Sequence, residues 1–375
     1  MTQPRLLILS FSDISSDARV LKQVTLFADQ YDVTTYGYGP QPDPRVRHLR
    51  LDDSQGIRRW SRTDVLLRRY QKMYWEQAAV SAALAALEGL DRFDAVIAND
   101  IDTVGLALAL QPRHGVHVDI HEYAPKQNEE LLMWRLFDAP FVTWMCRTFL
   151  PQAASMTTVG GGLAREYKRV FNLDADIVTN ATPYTDLAPT EVTTPIRLVH
   201  SGAGLRNRRL EVFIDAVIAT TSDVTLDLYL MANHPSYIEE LRQRASVSDR
   251  IRVLPGLPYQ ELVTGLNQYD VGLAVLAPTN FNLAWCLPNK FFDYVQARLG
   301  LIIGPSPEMS QILTERGLGE VSKDFSSSAL TTALNNLTLD QVRSWKENAH
   351  LAAHDLAAET QIKTWDRAIR DLLLD

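Results

Sequence analysis

Residues 288–293 have the types and the spacing of an anion-binding helix start. Pro288 suits the first helical turn, and Asn289 is a tolerable helix cap. Later apolar side chains recur at the spacing of one buried helical face, namely Phe291, Phe292, Val295 and Leu299. Lys290 stands in the first turn, where a cation opposes the helix dipole and lowers helix stability. A sequence that carries this unfavourable charge can gain a bound anion, and phosphate is the expected one. Asp293 could accept a hydrogen bond from a ribose hydroxyl one turn later, whereas the alternative is a core helix with a surface Lys and Asp.

A second candidate phosphate site follows a predicted strand at 196–200. The loop contains glycines and leads into a run of arginines, and its candidate residues are Gly202, Ala203, Gly204 and Arg208. Glycines let the backbone approach an anion closely, and a guanidinium group binds phosphate through two parallel hydrogen bonds. The loop lacks the third glycine of a dinucleotide-binding fingerprint. The sequence therefore favours a phosphate clamp at this position.

Polar side chains also follow two predicted strands of the first half. His121 and Glu122 come directly after a strand at 116–120, and Asp17 and Arg19 follow a strand at 6–10. Ligands of parallel sheets lie beyond the carboxyl ends of the strands, and an imidazole changes its charge near neutral pH. The alternatives are a structural histidine at 121 and a helix cap at Asp17 with a solvated Arg19.

Strands and helices alternate along both halves of the chain, which predicts an α/β protein with parallel sheets. The predicted strands lie at 6–10, 33–38, 45–49, 94–99, 116–120, 155–159, 196–200, 224–231, 251–254, 270–276 and 301–303. Helices are predicted mainly at 18–29, 63–90, 210–220 and 258–269, and again over most of 325–375. Residues 180–195 have no apolar periodicity and form the predicted linker. The domains are expected at 1–185 and 196–355, with a last helix at 356–375.

Composition and charge restrict the class of protein. The chain has 375 residues, of which 46% are hydrophobic, and this is enough for two globular domains. The net charge of −8 argues against a nucleic-acid partner held by overall charge. Cys146 and Cys286 could form one disulfide, but a reduced cytoplasmic chain is expected. The first apolar run is too short for a signal peptide, and no run approaches the ~20 residues that span a bilayer.

One segment is basic within this acidic chain. Residues 58–75 combine cations with aromatic side chains, namely Arg58, Arg59, Arg62, Arg68, Arg69 and Lys72 with Trp60, Tyr70, Tyr74 and Trp75. This mixture suits peripheral contact with an anionic membrane surface or a lipid-phosphate acceptor, and the alternative is a solvated helix face. The apolar segment 131–150 is expected to form a pair of core helices.

The run from Leu287 to Tyr294, followed by an apolar strand and Pro307-Glu308-Met309, resembles the donor-site signature of GT-B glycosyltransferases. The closest resemblance is to the family 4 type, which builds bacterial polysaccharides and glycoconjugates. The resemblance implies that Asp293 holds the ribose of a nucleotide, that Pro288, Asn289 and Lys290 border the donor, and that a loop with Gly256 and Leu257 receives the base.

This chain departs from the family at one position. The family carries a glutamate eight residues before the acidic residue at 293, and Trp285 stands there instead. Asn280 and Asn282 are the nearest polar substitutes, so Asn282 is the candidate for contact with the donor sugar.

Motifs elsewhere carry the resemblance through most of the chain. Gly202 and Arg208 resemble the family's Gly-x5-Lys/Arg element, with Ala203 where many relatives have arginine. The run Asp119-x-His121-Glu122 matches a His-Glu pair whose histidine lies close to the donor sugar. The run Asp17-Ala18-Arg19-Val20 resembles a loop that borders the acceptor side. The resemblance therefore implies an acceptor-side set, which is Asp17, Arg19 and Glu122.

The resemblance implies two Rossmann-like domains that face a central cleft, with the last helix crossing back to the first domain. It implies a retaining glycosyltransferase of the hexosyltransferase type that moves a sugar from a nucleotide-diphosphate sugar to a glycan, lipid-linked or small-molecule acceptor. The implied catalytic residues are His121, Arg208 and Lys290. No cofactor is expected besides this co-substrate, and the sequence shows no metal-ligand cluster. The alternatives are an epimerase of the same fold and an inactive binding subunit, which Trp285 makes more plausible.

Overall fold

The computed structural model describes residues 3–57 and 62–374, with only the backbone of Arg62, and it divides into two compact units. The first unit comprises Met1–Thr179, Asn280–Asn282 and Ile362–Asp375, and the second comprises Asn180–Thr279 and Leu283–Gln361. The division falls at the start of the predicted linker. That segment lies along the second unit, where the hydroxyl of Thr182 donates to Asp293 over 2.6 Å.

In its described part, the first unit is built on a parallel sheet of seven strands. In chain order these are β1 (Arg5–Asp13), β2 (Asp32–Tyr38), β3 (Arg47–Arg50), β4 (Ala95–Asn99), β5 (Gly115–Ile120), β6 (Ser155–Thr158) and β7 (Asp176–Ile177). Their order in the sheet is β3-β2-β1-β4-β5-β6-β7. All five residues of β4 are buried, as expected where helices cover both faces of a sheet.

Among residues 3–57 and 62–179, seven helices accompany these strands. They are α1 (Ala18–Phe27), α2 (Arg62–Leu66), α3 (Tyr70–Trp75), α4 (Ala78–Leu87), α5 (Ile101–Ala109), α6 (Ala139–Phe149) and α7 (Gly161–Phe171). Short 3₁₀ turns lie at Ala124–Lys126 and Leu150–Gln152, and a π-helix at Trp134–Asp138 leads directly into α6.

Two helix predictions for this unit are wrong. The run predicted at 63–90 is divided into α2, α3 and α4, because Arg68 has a φ of 49° and Gln77 is extended. The pair of core helices predicted at 131–150 is one helical segment that runs from the π-helix through α6. Composition favours helix in both segments, but it does not show where tertiary contacts turn the backbone.

The second unit repeats the design with six parallel strands. These are β8 (Ile196–Ala203), β9 (Val224–Met231), β10 (Ile251–Pro255), β11 (Val271–Ala274), β12 (Gly300–Ile303) and β13 (Gly319–Val321). The sheet order is β10-β9-β8-β11-β12-β13. From β8 the chain adds strands first towards one edge of the sheet and then, from β11, towards the other. Open α/β sheets bind ligands at such a switch point between neighbouring strands.

Ten more helices complete the described chain. They are α8 (Glu211–Ala219), α9 (Pro235–Ala245), α10 (Tyr259–Leu266), α11 (Phe281–Ala284), α12 (Asn289–Gln296), α13 (Pro307–Arg316), α14 (Ser327–Asn335), α15 (Leu339–Ala352), α16 (Ala358–Gln361) and α17 (Lys363–Leu374). The last helix packs Trp365, Ile369 and Leu372 into the core of the first unit. Within the described residues, we find no helix with both the length and the apolar content to cross a bilayer.

Candidate functional site

Helix α12 presents the predicted lysine at its first turn. It begins at Asn289, directly after an extended Pro288, so Asn289 is the first helical residue and not the predicted cap. Phe291, Phe292 and the later apolar positions of this face are fully buried. Their burial fixes the rotation of the helix and thereby the position of Lys290.

The ammonium group of Lys290 lies against the end of strand β8. Its Nζ is 3.3 Å from Nε2 of His200, and a Cβ on Gly202 would lie 3.0 Å from the same Nζ. Gly202 also has a φ of 146°, a backbone conformation that favours glycine. The predicted Gly202 and Lys290 are therefore brought together, and a side chain at 202 would displace the ammonium group.

His200 is a functional candidate that the sequence analysis did not identify. Its side chain is buried, and Nδ1 lies 2.8 Å from the carbonyl oxygen of Leu273. Because a carbonyl can only accept, Nδ1 carries the proton, and Nε2 is left to accept from Lys290. A histidine directly after the apolar pair Leu198 and Val199 was the one available signal.

The local electrostatics leave Lys290 poorly stabilised as a cation. Burial, and then the nearby charge of Arg208, lower the pKa of Lys290 to about 7. Burial and the charge of Lys290 likewise hold the pKa of His200 well below its ordinary value, so that the imidazole is neutral. A bound anion would relieve this loss of stability at Lys290.

Arg208 differs from its two neighbouring arginines. Arg206 pairs with Glu240 over 2.5 Å, and Arg209 lies 3.7 Å from Glu211. Within the part of the chain that the structure describes, no carboxylate lies within ion-pair distance of Arg208, which borders a cavity. Two cations without carboxylate partners, Arg208 and Lys290, therefore border one region of the second unit.

Two cavities meet at Lys290. One has a volume of about 510 Å³ and is lined in part by Tyr229, Gly256, Leu257, Tyr259, Asn289 and Asp293. The other has a volume of about 260 Å³ and is lined in part by Ala203, Arg208, Leu276, Leu283, Cys286 and Met309. Gly202, Pro288 and Lys290 line both cavities. The predicted donor residues 202, 203, 208, 256, 257, 288, 289, 290 and 293 are thus brought together in one unit.

Two further predicted donor residues lie elsewhere. Gly204 is buried, and a Cβ there would lie 2.7 Å from the carbonyl oxygen of Met231, so its small size serves packing. Asn282 groups with the first unit, where its side chain accepts from the backbone N–H of Tyr123 over 2.7 Å and donates to the carbonyl of Tyr123 over 3.3 Å. In this position Asn282 holds the loop that follows β5.

The first unit has its own cavity, of about 240 Å³, at the ends of β4 and β5. It is lined in part by Asp100, Asp102, His121, Glu122 and Gln127. Nδ1 of His121 is 3.5 Å from Asp100, and Nε2 is 3.6 Å from Asp119. Nε2 is buried and has no hydrogen-bond partner among residues 3–57 and 62–374. Burial lowers the pKa of His121, but the carboxylates of Asp100 and Asp119 outweigh burial and raise it.

Asp100 was also missed by sequence reasoning. It has a φ of 61° and a ψ of 159°, a region that residues other than glycine rarely occupy. Its backbone N–H donates to the carbonyl of Asp119 over 2.9 Å, and its carboxylate accepts from the N–H of His121 over 3.2 Å. Strain of this kind costs ~1–3 kcal/mol, and here it places a carboxylate beside His121.

Two of the predicted acceptor-side residues, Asp17 and Arg19, have different roles in the structure. Asp17 caps α1 by accepting from the N–H groups of Arg19 and Val20. The alternative of a solvated Arg19 is wrong, because its side chain is only 5% exposed and pairs with Asp119 over 2.6 Å. Burial would raise the pKa of Asp119, but Arg19 outweighs this effect and holds that pKa well below its usual range. Sequence reasoning could not foresee a partner 100 residues away.

Among the residues that the structure describes, no three His, Cys, Asp or Glu side chains are placed to hold a metal ion together.

No protein-family model matches the chain, and no curated protein matches it. Solved structures do match it. Sucrose-phosphate synthase from Thermosynechococcus elongatus is 12% identical, with a TM-score of 0.70 over 99% of this chain and 100% of that one. A glycosyltransferase from Rickettsia africae is 9% identical, with a TM-score of 0.71 over 100% and 99% of the two chains. HepE from Anabaena, in complex with UDP, is 10% identical, with a TM-score of 0.71 over 98% and 100%.

At these identities the likeness concerns the fold, and it extends over almost the whole of each chain. The two parallel sheets and the matches together show a GT-B fold. The predicted α/β class with two Rossmann-like domains is confirmed.

Proposed function

We propose that this chain is a retaining glycosyltransferase that uses a nucleotide-diphosphate sugar as donor. The observation that carries the proposal is the position of Lys290 and Arg208. Both cations lack a carboxylate partner among the described residues, and Lys290 lies where two cavities of different character meet. A diphosphate that joins a nucleoside to a sugar has the shape and the charge for this place.

The larger cavity suits the nucleoside. Tyr229, Leu257 and Tyr259 offer aromatic and apolar surface for a base, and Asp293 offers a carboxylate for the ribose hydroxyls. The smaller cavity, on the Arg208 side, then receives the sugar. The solved complexes of HepE with UDP and with UDP-glucose support a nucleotide sugar as the ligand.

Catalysis in this proposal depends on stabilising the leaving diphosphate. Cleavage of the anomeric bond adds negative charge to it, and Lys290, Arg208 and the positive end of α12 compensate that charge. Each fixed donor of this kind typically contributes ~3–4 kcal/mol to the barrier reduction. The acceptor attacks from the face that the diphosphate leaves, and the departing phosphate takes the acceptor proton. The sugar therefore keeps its anomeric configuration without a carboxylate nucleophile.

His121 acts on a substrate hydroxyl in the cavity of the first unit. The imidazole borders that cavity, and its Nδ1 and Nε2 lie 3.5 Å and 3.6 Å from Asp100 and Asp119, so the two carboxylates stabilise its protonated form. Arg19 orients Asp119, so we propose it as a positioning residue on the acceptor side. The chain needs no cofactor and no metal in this scheme, and chelator should leave transfer unchanged.

The acceptor is a glycan, a lipid-linked sugar or a small molecule of bacterial polysaccharide or glycoconjugate synthesis, in the cytoplasm. Peripheral contact with the inner membrane surface would occur through residues 58–75. Of that segment, Arg58, Arg59, Trp60, Ser61 and the side chain of Arg62 lie outside the described residues.

The test begins with a thermal-shift screen of nucleotide-diphosphate sugars, because a ligand at about 100 times its Kd stabilises by ~2.7 kcal/mol. Acceptors are then added, and the released nucleotide diphosphate and the glycosylated product are measured. A transferase releases one diphosphate for each product, and NMR of the product shows its anomeric configuration. An epimerase would convert the donor without any acceptor, and an inactive binding subunit would bind it without releasing diphosphate. Either result would contradict the proposal.

A further inference from the structure

The segment 131–136 exposes apolar side chains to an unusual degree. Leu131, Leu132, Met133 and Leu136 are 56%, 59%, 63% and 57% exposed, whereas Trp134 between them is 6% exposed. Nε1 of Trp134 donates to the carbonyl of Pro125 over 3.4 Å. The buried tryptophan thus anchors the segment and leaves its neighbours facing outward. This part of 131–150 does not belong to the core that its composition predicted.

A cavity lined by cations and aromatic rings lies beside helix α3, which contacts α6, the helix that continues the segment 131–136. Its volume is about 700 Å³, and its lining includes Arg68, Arg69, Tyr70, Lys72, Trp75 and Trp144. The ring of Tyr70 lies 5.8 Å from that of Phe141 and 5.9 Å from that of Trp144, which joins α3 to α6. Leu136 and Trp144 are eight residues apart, or roughly 12 Å along a helix.

Two more exposed leucines precede this cavity in the chain. Leu66 and Leu67 are 71% and 60% exposed. Six of the thirteen exposed large apolar residues in the described chain therefore fall in these two short stretches of one unit. Single exposed leucines are ordinary, whereas two runs of them on elements joined by the contacts of Tyr70 with Phe141 and Trp144 indicate an interaction surface.

The charges around the two stretches indicate the kind of partner. Asp64 pairs with Lys72 over 3.1 Å and lies 3.5 Å from Arg69, and Glu76 lies 3.7 Å from Lys72, so these carboxylates and cations partly neutralise one another. Glu129 and Glu130, which precede the apolar run, bond to the N–H of Phe281 and the side chain of Asn280. Arg68 and Arg135 add exposed positive charge. Apolar side chains beside cations match the acyl layer and the phosphate headgroups of an anionic bilayer.

We propose that residues 66–72 and 131–136 form one surface, the leucine–arginine surface, that binds an anionic lipid bilayer. The leucines and Met133 enter the boundary between headgroups and acyl chains, and the cations meet lipid phosphates. This inference rests on the membrane contact named in the proposed function and names the residues that insert. It does not depend on the transfer chemistry.

The test measures sedimentation of the full chain, without donor or acceptor, with two kinds of vesicle. One contains phosphatidylcholine alone, and the other includes about 30 mol% phosphatidylglycerol. We expect binding to the anionic vesicles at low salt, little binding to the neutral ones, and a marked loss at about 0.5 M salt, where charge is screened.

Two pairs of variants separate insertion from charge. The double change Leu132→Ser with Met133→Ser should lower partitioning roughly tenfold or more, while Val247→Ser with Leu351→Ser, at sites 73% and 70% exposed in the second unit, should not. Arg68→Gln with Arg69→Gln should lower partitioning to the anionic vesicles several-fold. Arg242→Gln with Lys323→Gln changes the net charge by the same amount and should lower partitioning less.

Equal sedimentation of the Leu132/Met133 variant and the wild type would overturn the proposal, and so would a wild-type chain that stays in the supernatant. Light scattering adds a third check. If the wild type is a dimer and the Leu132/Met133 variant is a monomer, the surface binds a second copy of the chain instead of a bilayer. Release of nucleotide diphosphate with a water-soluble acceptor is measured on the same variants, so loss of lipid binding with full transfer separates this inference from the proposed function.

Discussion

The cavities of the two units lie on sheets whose first six strands have the same order, but the cavities carry opposite charge. In the second unit, Lys290 and Arg208 face the cavities without carboxylate partners among the described residues. In the first unit, Asp100, Asp102 and Glu122 line the cavity beside His121. One topology therefore presents cations to a cavity in one unit and carboxylates beside a histidine in the other. The side chains at the strand ends decide which site results.

The two regions also restrain their key residue in different ways. Lys290 is held by a neutral acceptor, His200, and its pKa is lowered to about 7 because burial and Arg208 disfavour its charge. His121 is held near two carboxylates, and its pKa is raised. We therefore expect the lysine to lose its proton easily until an anion arrives and the histidine to gain one easily.

Changing the anion site should have the largest effect. Lys290→Ala should lower turnover by roughly 10²–10³, because the leaving diphosphate loses a fixed cation. The free energy of unfolding should stay the same or rise, since a cation at a helix N-terminus is removed. Steady-state kinetics and chemical denaturation measure the two effects. Lys323→Ala, at an exposed site, is the matched control, and turnover of Lys290→Ala within about threefold of wild type would contradict the phosphate role.

Changing the histidine site should have a somewhat smaller effect of another kind. His121→Ala should lower turnover by about 10² while the Kd of the nucleotide diphosphate changes little. Because the folded pKa of His121 is raised, its contribution to stability is present below the unfolded value of 6.5 and is lost as pH rises through the folded pKa. Denaturation curves at several pH values check this sign. A variant that unfolds easily but keeps full turnover per folded molecule would show a structural histidine.

Local signals predicted much of the second unit and less of the first. Helix α12, its buried face and β9 follow from apolar spacing and proline placement, which are properties of neighbouring residues. The burial of Arg19, the strained backbone of Asp100 and the break at Arg68 depend on partners far along the chain. Likewise, the apolar residues 131–136 look the same in sequence whether they face the core or solvent. The tertiary contacts that decide these features have no local pattern.

His200 offers a finer test of the anion site. His200→Phe keeps a ring against Phe213, at 4.6 Å in the native protein, but removes the acceptor for Lys290. The affinity for inorganic pyrophosphate should fall about tenfold, as expected for a lost hydrogen bond to a charged group. His200→Gln, whose amide oxygen can accept, should recover part of that affinity. If both variants bind pyrophosphate like the wild type when corrected for the folded fraction, His200 serves packing alone.

The smallest expected effects are the pH dependence of the free energy of unfolding and the proton uptake on anion binding, both through Lys290. The pKa of Lys290 is about 7 in the folded protein against 10.5 for the free side chain, so the unfolded chain binds more protons between these values. The free energy of unfolding should therefore rise with pH over this window, and Lys290→Met should flatten the rise. Pyrophosphate or a nucleotide diphosphate restores the charge of Lys290, so binding at about pH 8 should take up more than about half a proton per site. Calorimetry in buffers of different ionisation enthalpy measures this uptake, with Lys290→Met as control. Equal uptake by the variant would assign the proton to another group and leave the charged state of Lys290 unconnected with the anion.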